Sequence, residues 1–295
     1  MTDLGSPANK PATRVPALFA ALVDDAGLFP PEQLPMDAAV ARHRSDAAVG
    51  NPVLTQRFLC KVSELGELRR RLRVDERWQI GLIADAGLEE LAMAVAVVRN
   101  DRRFTLETVE LRLPGGDPDP AVNRLLGAIG RHPVDCTYVE LSPARVGWEQ
   151  SLAAVVRAGL AAKVRCGGLS ATDFPTEAQL AGFLLAVTGR QVQFKATAGL
   201  HHALRYRDPA TGFDHHGFLN LLLATCRASD GDDPAQIEAA LRIDDPTELA
   251  DQARAVSPHT AKRARALFRA YGSCSTSEPV EDLTDLGLLK NGDNP

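Results

Sequence analysis

Three lysines stand in places where a solvated surface lysine is not expected. The chain contains 33 basic residues, of which six are lysines, and three of these six lie inside apolar stretches. Lys61 lies in FLCKV, Lys163 in AAKVR and Lys195 in VQFKA. A buried ammonium group is costly unless it is paired, and a lysine whose pKa is lowered becomes a nucleophile for carbonyl carbon. These positions therefore predict either carbonyl chemistry or a buried ion-pair network.

The residues around Lys195 alternate in polarity, as expected for a strand with one polar face. Lys195 and Thr197 share one face with two glutamines, whereas Phe194 and Ala196 share the other. The same alternation on the other candidate strands places further polar side chains on this face. These are Lys61, Asp85, Glu110, Arg112, Glu140, Lys163 and Arg165, with Asp24 or Asp25 on the first strand and Ser273 on the last. A core built for stability alone would carry Val, Ile or Leu there, so the polar face is interpreted as a site.

Eight short β-like runs carry these residues, and most are followed by an amphipathic helical run. The runs are residues 21–27, 57–62, 79–85, 105–113, 136–142, 161–167, 192–199 and 268–274. Eight such units predict the α/β class and a closed (β/α)8 TIM-type barrel, as a single domain over residues 17–290. Tails without regular structure are expected at 1–16 and 291–295. An open doubly wound sheet has the same local pattern, but the GxGxxG of dinucleotide-binding sheets is missing.

A long interval separates the seventh and eighth candidate strands and predicts a helical insertion at residues 203–262. The interval contains the loop YRDPATGFDHHG, the apolar run FLNLLLATCRA, and Asp-Pro and Ser-Pro pairs typical of helix starts. We interpret the insertion as a lid or an oligomer contact, so a homo-oligomer is a candidate assembly.

The barrel prediction brings Lys163 and Lys195 together. Neighbouring strands lie about 4.8 Å apart, so inward lysines at similar heights hold their ammonium groups within several ångströms of each other. Two like charges about 4 Å apart repel by roughly 1–4 kcal/mol, equivalent to about one to three pKa units. The pKa of one lysine is therefore expected to fall toward neutrality. The alternative, in which Glu110 and Glu140 simply neutralise the two lysines, stays open.

The strings AAKVRCGG, VQFKATAGL and FRAYGSCS resemble the last three strands of deoxyribose-phosphate aldolase and related class I aldolases. The resemblance implies an aldolase-like carbon–carbon lyase that forms a Schiff base with a small carbonyl compound and needs no cofactor. It also implies that Lys163 is the Schiff-base lysine and Lys195 its pKa-lowering partner. The phosphate loop of that family would correspond to Gly272, Ser273 and Ser275.

Longer strings are similar to a widespread group of bacterial proteins to which no activity is attached. These strings are DAGLFPP, FKATAGLHH, HGFLN, and GSCS followed by EPVEDL, and they extend over nearly the whole chain. This second resemblance carries no implication for activity.

Further candidates follow the strands at the predicted catalytic mouth of the barrel. His201 is expected to act as a general acid or base beside Lys163, Lys195, Glu110 and Glu140. The principal interpretation contains no metal, although a pair of histidines from 201–202 and 215–216 is an alternative metal site. The candidate substrate- or phosphate-binding residues are Asp25, Lys61, Arg165, Gly167, Gly168, Thr197, Gly199, His202, Gly272, Ser273 and Ser275. Each of the glycines can equally serve a tight turn.

Two other functions fit the same barrel. Three carboxylates, Asp85, Glu110 and Glu140, could hold Mg²⁺ in an enolisation enzyme similar to the enolase superfamily, with Lys61 and Lys163 as bases. Alternatively, the barrel binds a metabolite without catalysis, and its charged interior is a salt-bridge network. The Schiff-base lyase is the principal prediction, and its small carbonyl substrate is phosphorylated if the mouth loops bind an anion.

Composition and charge limit the partners of the protein. With 45% hydrophobic and 24% charged residues, the chain has an ordinary globular composition, and its net charge of −5 gives no general attraction to nucleic acid. The sequence shows no apolar run of membrane-spanning length and no export signal, so a membrane is not an expected partner. The expected partner is a small-molecule substrate bound at the polar face of the barrel. Five cysteines without a CxxC pair predict free thiols and a cytoplasmic protein.

Overall fold

A computed structural model of the protein describes residues 15–130, 136–168, 170–209 and 211–290. Its strands are β1 (Val23–Asp25), β2 (Leu54–Lys61), β3 (Trp78–Ile83), β4 (Phe104–Arg112), β5 (Cys136–Leu141), β6 (Ala161–Arg165), β7 (Phe194–Thr197), β8 (Tyr206–Arg207), β9 (Asp214–His215) and β10 (Phe268–Ser273). Strands β1 to β7 run parallel in chain order, and β10 closes the barrel between β7 and β1. The predicted (β/α)8 TIM-type barrel is confirmed.

Helices surround the barrel and cover the outer faces of its strands. They are α1 (Met36–Val49), α2 (Leu65–Arg71), α3 (Leu88–Asn100), α4 (Pro118–Ile129), α5 (Trp148–Arg157), α6 (Glu177–Gly189), α7 (Phe218–Asp230), α8 (Pro234–Arg242), α9 (Pro246–Ala255), α10 (Pro258–Leu267) and α11 (Glu278–Asp285). Two 3₁₀ turns, at Val62–Glu64 and Ala171–Asp173, precede α2 and α6. The main hydrophobic core therefore lies between the strands and this outer layer.

The interval between β7 and β10 contains four helices and one element that the sequence pattern did not predict. Strands β8 and β9 form a short antiparallel hairpin of their own. Helix α7 is apolar on nearly every side and is buried against α6, α8, α9 and α10. The predicted starts of α8, α9 and α10 are present, because Asp233, Asp245 and Ser257 each cap a helix whose first residue is proline.

The strand register decides which side chains meet inside the barrel, because residues paired across parallel strands point to the same face. Arg112 pairs with Glu140, and Glu140 pairs with Lys163. Lys163 in turn pairs with Lys195, so the four side chains lie at one height on four neighbouring strands. The outward residues between them, such as Val164, are buried in the core.

Three further predictions concern the cysteines, membrane-spanning segments and the two tails. All five cysteines lie in the described part of the chain and are free thiols. Among the described residues, no helix has the length and apolar character needed to cross a membrane. The predicted C-terminal tail and residues 1–14 of the N-terminal tail lie outside the described residues.

Candidate functional site

Lys195 is the most deeply buried cation inside the barrel mouth. Its side chain is 1% exposed, and its Nζ contacts Asp24 Oδ2 and Glu110 Oε1. The same Nζ lies 5.5 Å from the centre of the Tyr138 ring, which is a cation–π contact. Two carboxylates and an aromatic ring thus replace the water that this ammonium group gives up.

Lys163 lies beside Lys195 but nearer to solvent. Its Nζ is 3.0 Å from Glu110 Oε2 and 3.4 Å from Glu140 Oε2, and its side chain is 7% exposed. Glu110 therefore bridges the two lysines, with one carboxylate oxygen directed at each ammonium group. The predicted meeting of the two lysines inside the barrel holds, but a carboxylate lies between them.

Arg57 balances the charges on the side of Lys195. Its Nη1 lies 2.9 Å from Asp24 Oδ1, and its Nη2 lies 2.8 Å from Glu107 Oε2. The hydroxyl of Thr55 also donates to Asp24 Oδ1, at 2.6 Å. Arg57 and Thr55 thereby hold Asp24 Oδ1, which leaves Oδ2 directed at Lys195.

Two arginines lie at the strand ends that face the barrel mouth. Arg112 ends β4, Arg165 ends β6, and both contact Glu140 Oε1. Their side chains are 58% and 36% exposed, whereas the Glu140 side chain is 9% exposed. Among the residues that the structure describes, five cations and four carboxylates form one ionic cluster, which extends from buried Lys195 to solvent. Its members are Asp24, Arg57, Glu107, Glu110, Arg112, Glu140, Lys163, Arg165 and Lys195.

The pKa values in the cluster follow from burial opposed by these ion pairs. Burial alone would raise the pKa of Glu110, but Lys195 and Lys163 outweigh it and lower that pKa to about 2. Burial is likewise outweighed at Glu140, where Lys163 and Arg165 lower the pKa to about 2. Burial would lower the pKa of Lys195, but its carboxylate partners raise it above the ordinary value. Lys195, which the aldolase resemblance implies to be the pKa-lowering partner, is thus itself held as an ammonium ion by its carboxylates.

Asp24, and not Asp25, is the first-strand carboxylate of the cluster. Asp25 points outward, where its Oδ1 accepts hydrogen bonds from Arg42 at 2.6 Å and from the Gly27 amide at 3.0 Å. Its Oδ2 lies 3.0 Å from His43 Nδ1. The predicted substrate-binding role of Asp25 is corrected for this reason, because its carboxylate joins β1 to α1.

The predicted position of Ser273 is also wrong, because this residue lies on the opposite face of its strand. It pairs in register with Asp25 and is therefore on the outward face of β10, where it is buried. Gly272 pairs with Asp24 and with Thr197, so Thr197 faces the barrel interior as predicted, and Gly272, not Ser273, has the inward position on β10. At the end of β10, the side facing the barrel interior is therefore occupied by Gly272 and not by the hydroxyl of Ser273.

Lys61 and Asp85 lie at the barrel rim and have local partners. Lys61 Nζ is 3.0 Å from Glu64 Oε1 and 5.3 Å from the centre of the Phe29 ring. Asp85 is exposed and accepts hydrogen bonds from the amide and hydroxyl of Ser63. The structure does not join either residue to the ionic cluster. Within the described ranges, no group of three or more His, Cys, Asp or Glu side chains has an arrangement that could hold a metal ion.

The histidines lie around the loops that follow β7. His201 Nδ1 is 3.7 Å from Cys274 Sγ, and burial, with a smaller contribution from His215, lowers the pKa of His201 to about 4. His201 is therefore neutral at physiological pH. His202 is 47% exposed, with its Nδ1 3.4 Å from Asp282. His215 Nδ1 lies 3.2 Å from the Gly199 carbonyl oxygen and 3.3 Å from the Tyr206 hydroxyl.

The glycines after β6 and β7 have a packing role. Gly199 has φ of +71°, and a Cβ there would lie 2.8 Å from the carbonyl oxygen of Cys166. A Cβ on Gly167 would lie 2.7 Å from the Cα of Gly199, so the two loops pass too closely for side chains. A Cβ on Gly168 would meet the side chain of Asp173. These contacts explain the three glycines without an anion.

Ser275 also has a local role. Its hydroxyl accepts a hydrogen bond from the Glu278 amide at 3.2 Å, at the start of α11. The anion loop implied by the aldolase resemblance stays a prediction.

Sequence reasoning missed three residues of the site. Arg57 has the parity of Lys61, and Tyr138 has the parity of Glu140, so the alternation contained a signal for both. Glu107 had no such signal, because β4 carries an extra residue there relative to β3 and the alternation is interrupted.

No protein-family model and no curated protein matches this chain. The two resemblances drawn from sequence strings therefore stay predictions.

Proposed function

We propose that the protein is a Schiff-base enzyme, of the carbon–carbon lyase type, that acts on a small carbonyl compound through Lys163. The observation that carries the proposal is the position of Lys163 Nζ between Glu110 Oε2 and Glu140 Oε2, at 3.0 and 3.4 Å. A nucleophile, a proton acceptor within hydrogen-bond reach, and a third group that orients the acceptor make a recurrent catalytic arrangement. Lys195 is that third group, because it holds the other oxygen of Glu110.

The first step transfers a proton from the Lys163 ammonium to the Glu110 carboxylate as the carbonyl compound arrives. The nitrogen lone pair then forms a bond to the carbonyl carbon, and the electron pair of the C=O double bond moves to the oxygen. That oxygen takes one proton from the nitrogen and one from Glu110 and leaves as water. The product is an iminium ion on Lys163, and Glu110 is again a carboxylate.

The iminium ion then accepts the electron pair of the carbon–carbon bond that breaks. A hydroxyl group on the leaving carbon loses its proton to Glu140, so that fragment departs as a second carbonyl compound. The retained fragment is an enamine, which takes that proton back from Glu140 at carbon and becomes an iminium ion again. Water then hydrolyses this ion and releases the other carbonyl product and the Lys163 ammonium. Glu140 is assigned this role by position, because its Oε2 lies 3.4 Å from Lys163 Nζ, and it is ionised at physiological pH.

Lys195 is a positioning residue in this scheme. Both lysines have two carboxylate partners, but Lys195 is 1% exposed, whereas Lys163 is 7% exposed and lies on the solvent side of Glu110. The contact of Lys195 with Glu110 Oε1 holds that carboxylate in place, with the other oxygen directed at Lys163.

Borohydride trapping tests the proposal. Incubation with a panel of small aldehydes and ketones, followed by borohydride, should give a covalent adduct that disappears in Lys163→Met. Lys262→Met, which removes an exposed lysine of α10, is the matched control and should be trapped like the unaltered protein. Absence of an adduct with every compound, or equal trapping of Lys163→Met, would refute the proposal.

A non-catalytic metabolite-binding barrel is the second candidate. It is favoured by the pairing of both lysines with carboxylates, since a salt-bridge network needs no reaction. It predicts ligand-induced stabilisation without trapping, and the borohydride experiment therefore separates the two functions.

A further inference from the structure

We propose that the substrate carries a carboxylate bonded directly to its reacting carbonyl carbon, and that Arg112 and Arg165 bind that carboxylate. This inference rests on the proposed function and specifies its substrate class as a 2-oxo acid. The two arginines have no place in the reaction steps, although they lie at the mouth beside Lys163.

The contacts of the two Glu140 carboxylate oxygens indicate how far Lys163 lies from the two arginines. Glu140 Oε1 lies 3.1 Å from Arg112 Nε and 3.3 Å from Arg165 Nε. Its other oxygen, Oε2, lies 3.4 Å from Lys163 Nζ. One carboxyl group therefore spans the whole distance from the amine to the two guanidinium groups.

This span selects among anionic carbonyl compounds. In a 2-oxo acid the carboxylate is attached to the carbonyl carbon, so an anionic oxygen can lie at the arginines while the carbonyl carbon lies at Lys163. In a phosphorylated ketone the phosphate is separated from the carbonyl carbon by a further carbon and an ester oxygen. Guanidinium groups match the planar geometry of a carboxylate, and two of them provide more donors than Glu140 Oε1 can accept.

The arginines are also accessible from the side where a substrate must enter. Arg112 and Arg165 end strands on either side of β5, and they are the most exposed members of the ionic cluster on the solvent side of Glu140. An incoming carboxylate takes over part of the charge pairing of Glu140. The Glu140 carboxylate then becomes available for the proton transfer assigned to it above.

The experiment measures trapping at Lys163 as a function of concentration for pyruvate and acetone, which differ by a carboxylate in place of a methyl group. Arg112→Met and Arg165→Met should each raise the half-saturating concentration of pyruvate at least about tenfold and that of acetone less than about twofold. Comparing each variant with the unaltered protein cancels the different intrinsic reactivities of the two compounds. Arg145→Met removes an exposed arginine on the loop after β5 and should change neither value.

Three results would overturn the inference. Equal effects of the arginine variants on pyruvate and acetone would show that the arginines do not bind the carboxylate. A larger effect on dihydroxyacetone phosphate than on pyruvate would assign the arginines to phosphate. If adducts form with acetone but not with pyruvate, the substrate class is wrong while the Schiff base stands, whereas no adduct with any compound refutes the proposed function itself.

Discussion

Glu110 is the residue on which both lysines depend, and its removal should be costly. Glu110→Gln leaves Lys163 with Glu140 and Lys195 with Asp24, each having lost one carboxylate partner. Breaking buried ion pairs typically costs about 3–5 kcal/mol, so we expect a loss of about 3 kcal/mol in the free energy of unfolding, measured with urea. Glu89→Gln, at the exposed start of α3, is the control and should change it by less than about 0.5 kcal/mol. An unaltered stability of Glu110→Gln would contradict the bridging role.

The pH dependence of stability should report the lowered pKa values of Glu110 and Glu140. Both fall to about 2 in the folded protein from an ordinary value of 4.5, so the unfolded chain binds more protons between these limits. Their contribution is fully present above about pH 4.5 and is lost as the pH falls toward 2. Below pH 4.5, the melting temperature should fall less steeply for Glu140→Gln than for the unaltered protein. Parallel curves for the two proteins would show that Glu140 carries no such contribution.

At the scale of elements, the alternation of polar and apolar residues predicted most inward side chains. It failed where neighbouring residues of a strand do not differ in polarity or burial. All three residues of β1 are buried, so its pattern cannot tell which of two adjacent aspartates faces inward. The answer depends on Arg42 and His43 of α1, which bind Asp25. Ser273 was likewise assigned to the inward face of its strand although it lies on the outward face. In β7, by contrast, polar and apolar residues alternate clearly, and Lys195 was assigned correctly.

Helix α7 offers a test of the insertion as an element. Asn220 is fully buried, and its Nδ2 donates to the carbonyls of Ala240 at 3.0 Å and Ile243 at 2.9 Å. Its Oδ1 accepts from the Arg205 amide at 2.8 Å. Asn220→Ala leaves these three backbone groups unpaired and should lower the free energy of unfolding by about 3 kcal/mol, measured with urea.

The control for this prediction is Asn100→Ala. Asn100 is exposed at the end of α3, and its side chain donates to the Ala96 carbonyl at 2.9 Å. Because water can replace that bond, we expect a loss below about 1 kcal/mol. Equal losses for the two variants would show that Asn220 does not join α7 to α8.

At the scale of the whole molecule, the barrel could be predicted because eight strand–helix units repeat along the chain. The hairpin β8–β9 could not, since its two-residue strands are too short for any periodicity. The presence of Lys163 and Lys195 inside the barrel followed from alternation, but their partners did not. Whether two ammonium groups repel each other or share Glu110 depends on side-chain positions contributed by strands that are far apart in sequence.

The central claim is that Lys163 is the reactive amine and that Lys195 is the buried positioning residue behind Glu110. Peptide mass spectrometry of the unaltered protein, after incubation with pyruvate and borohydride, tests it most directly. We predict that the reduced adduct maps to the peptide containing Lys163, at near-stoichiometric yield, while Lys195 and the surface lysines remain unmodified. An adduct on Lys195, or modification distributed evenly over the exposed lysines, would contradict the account.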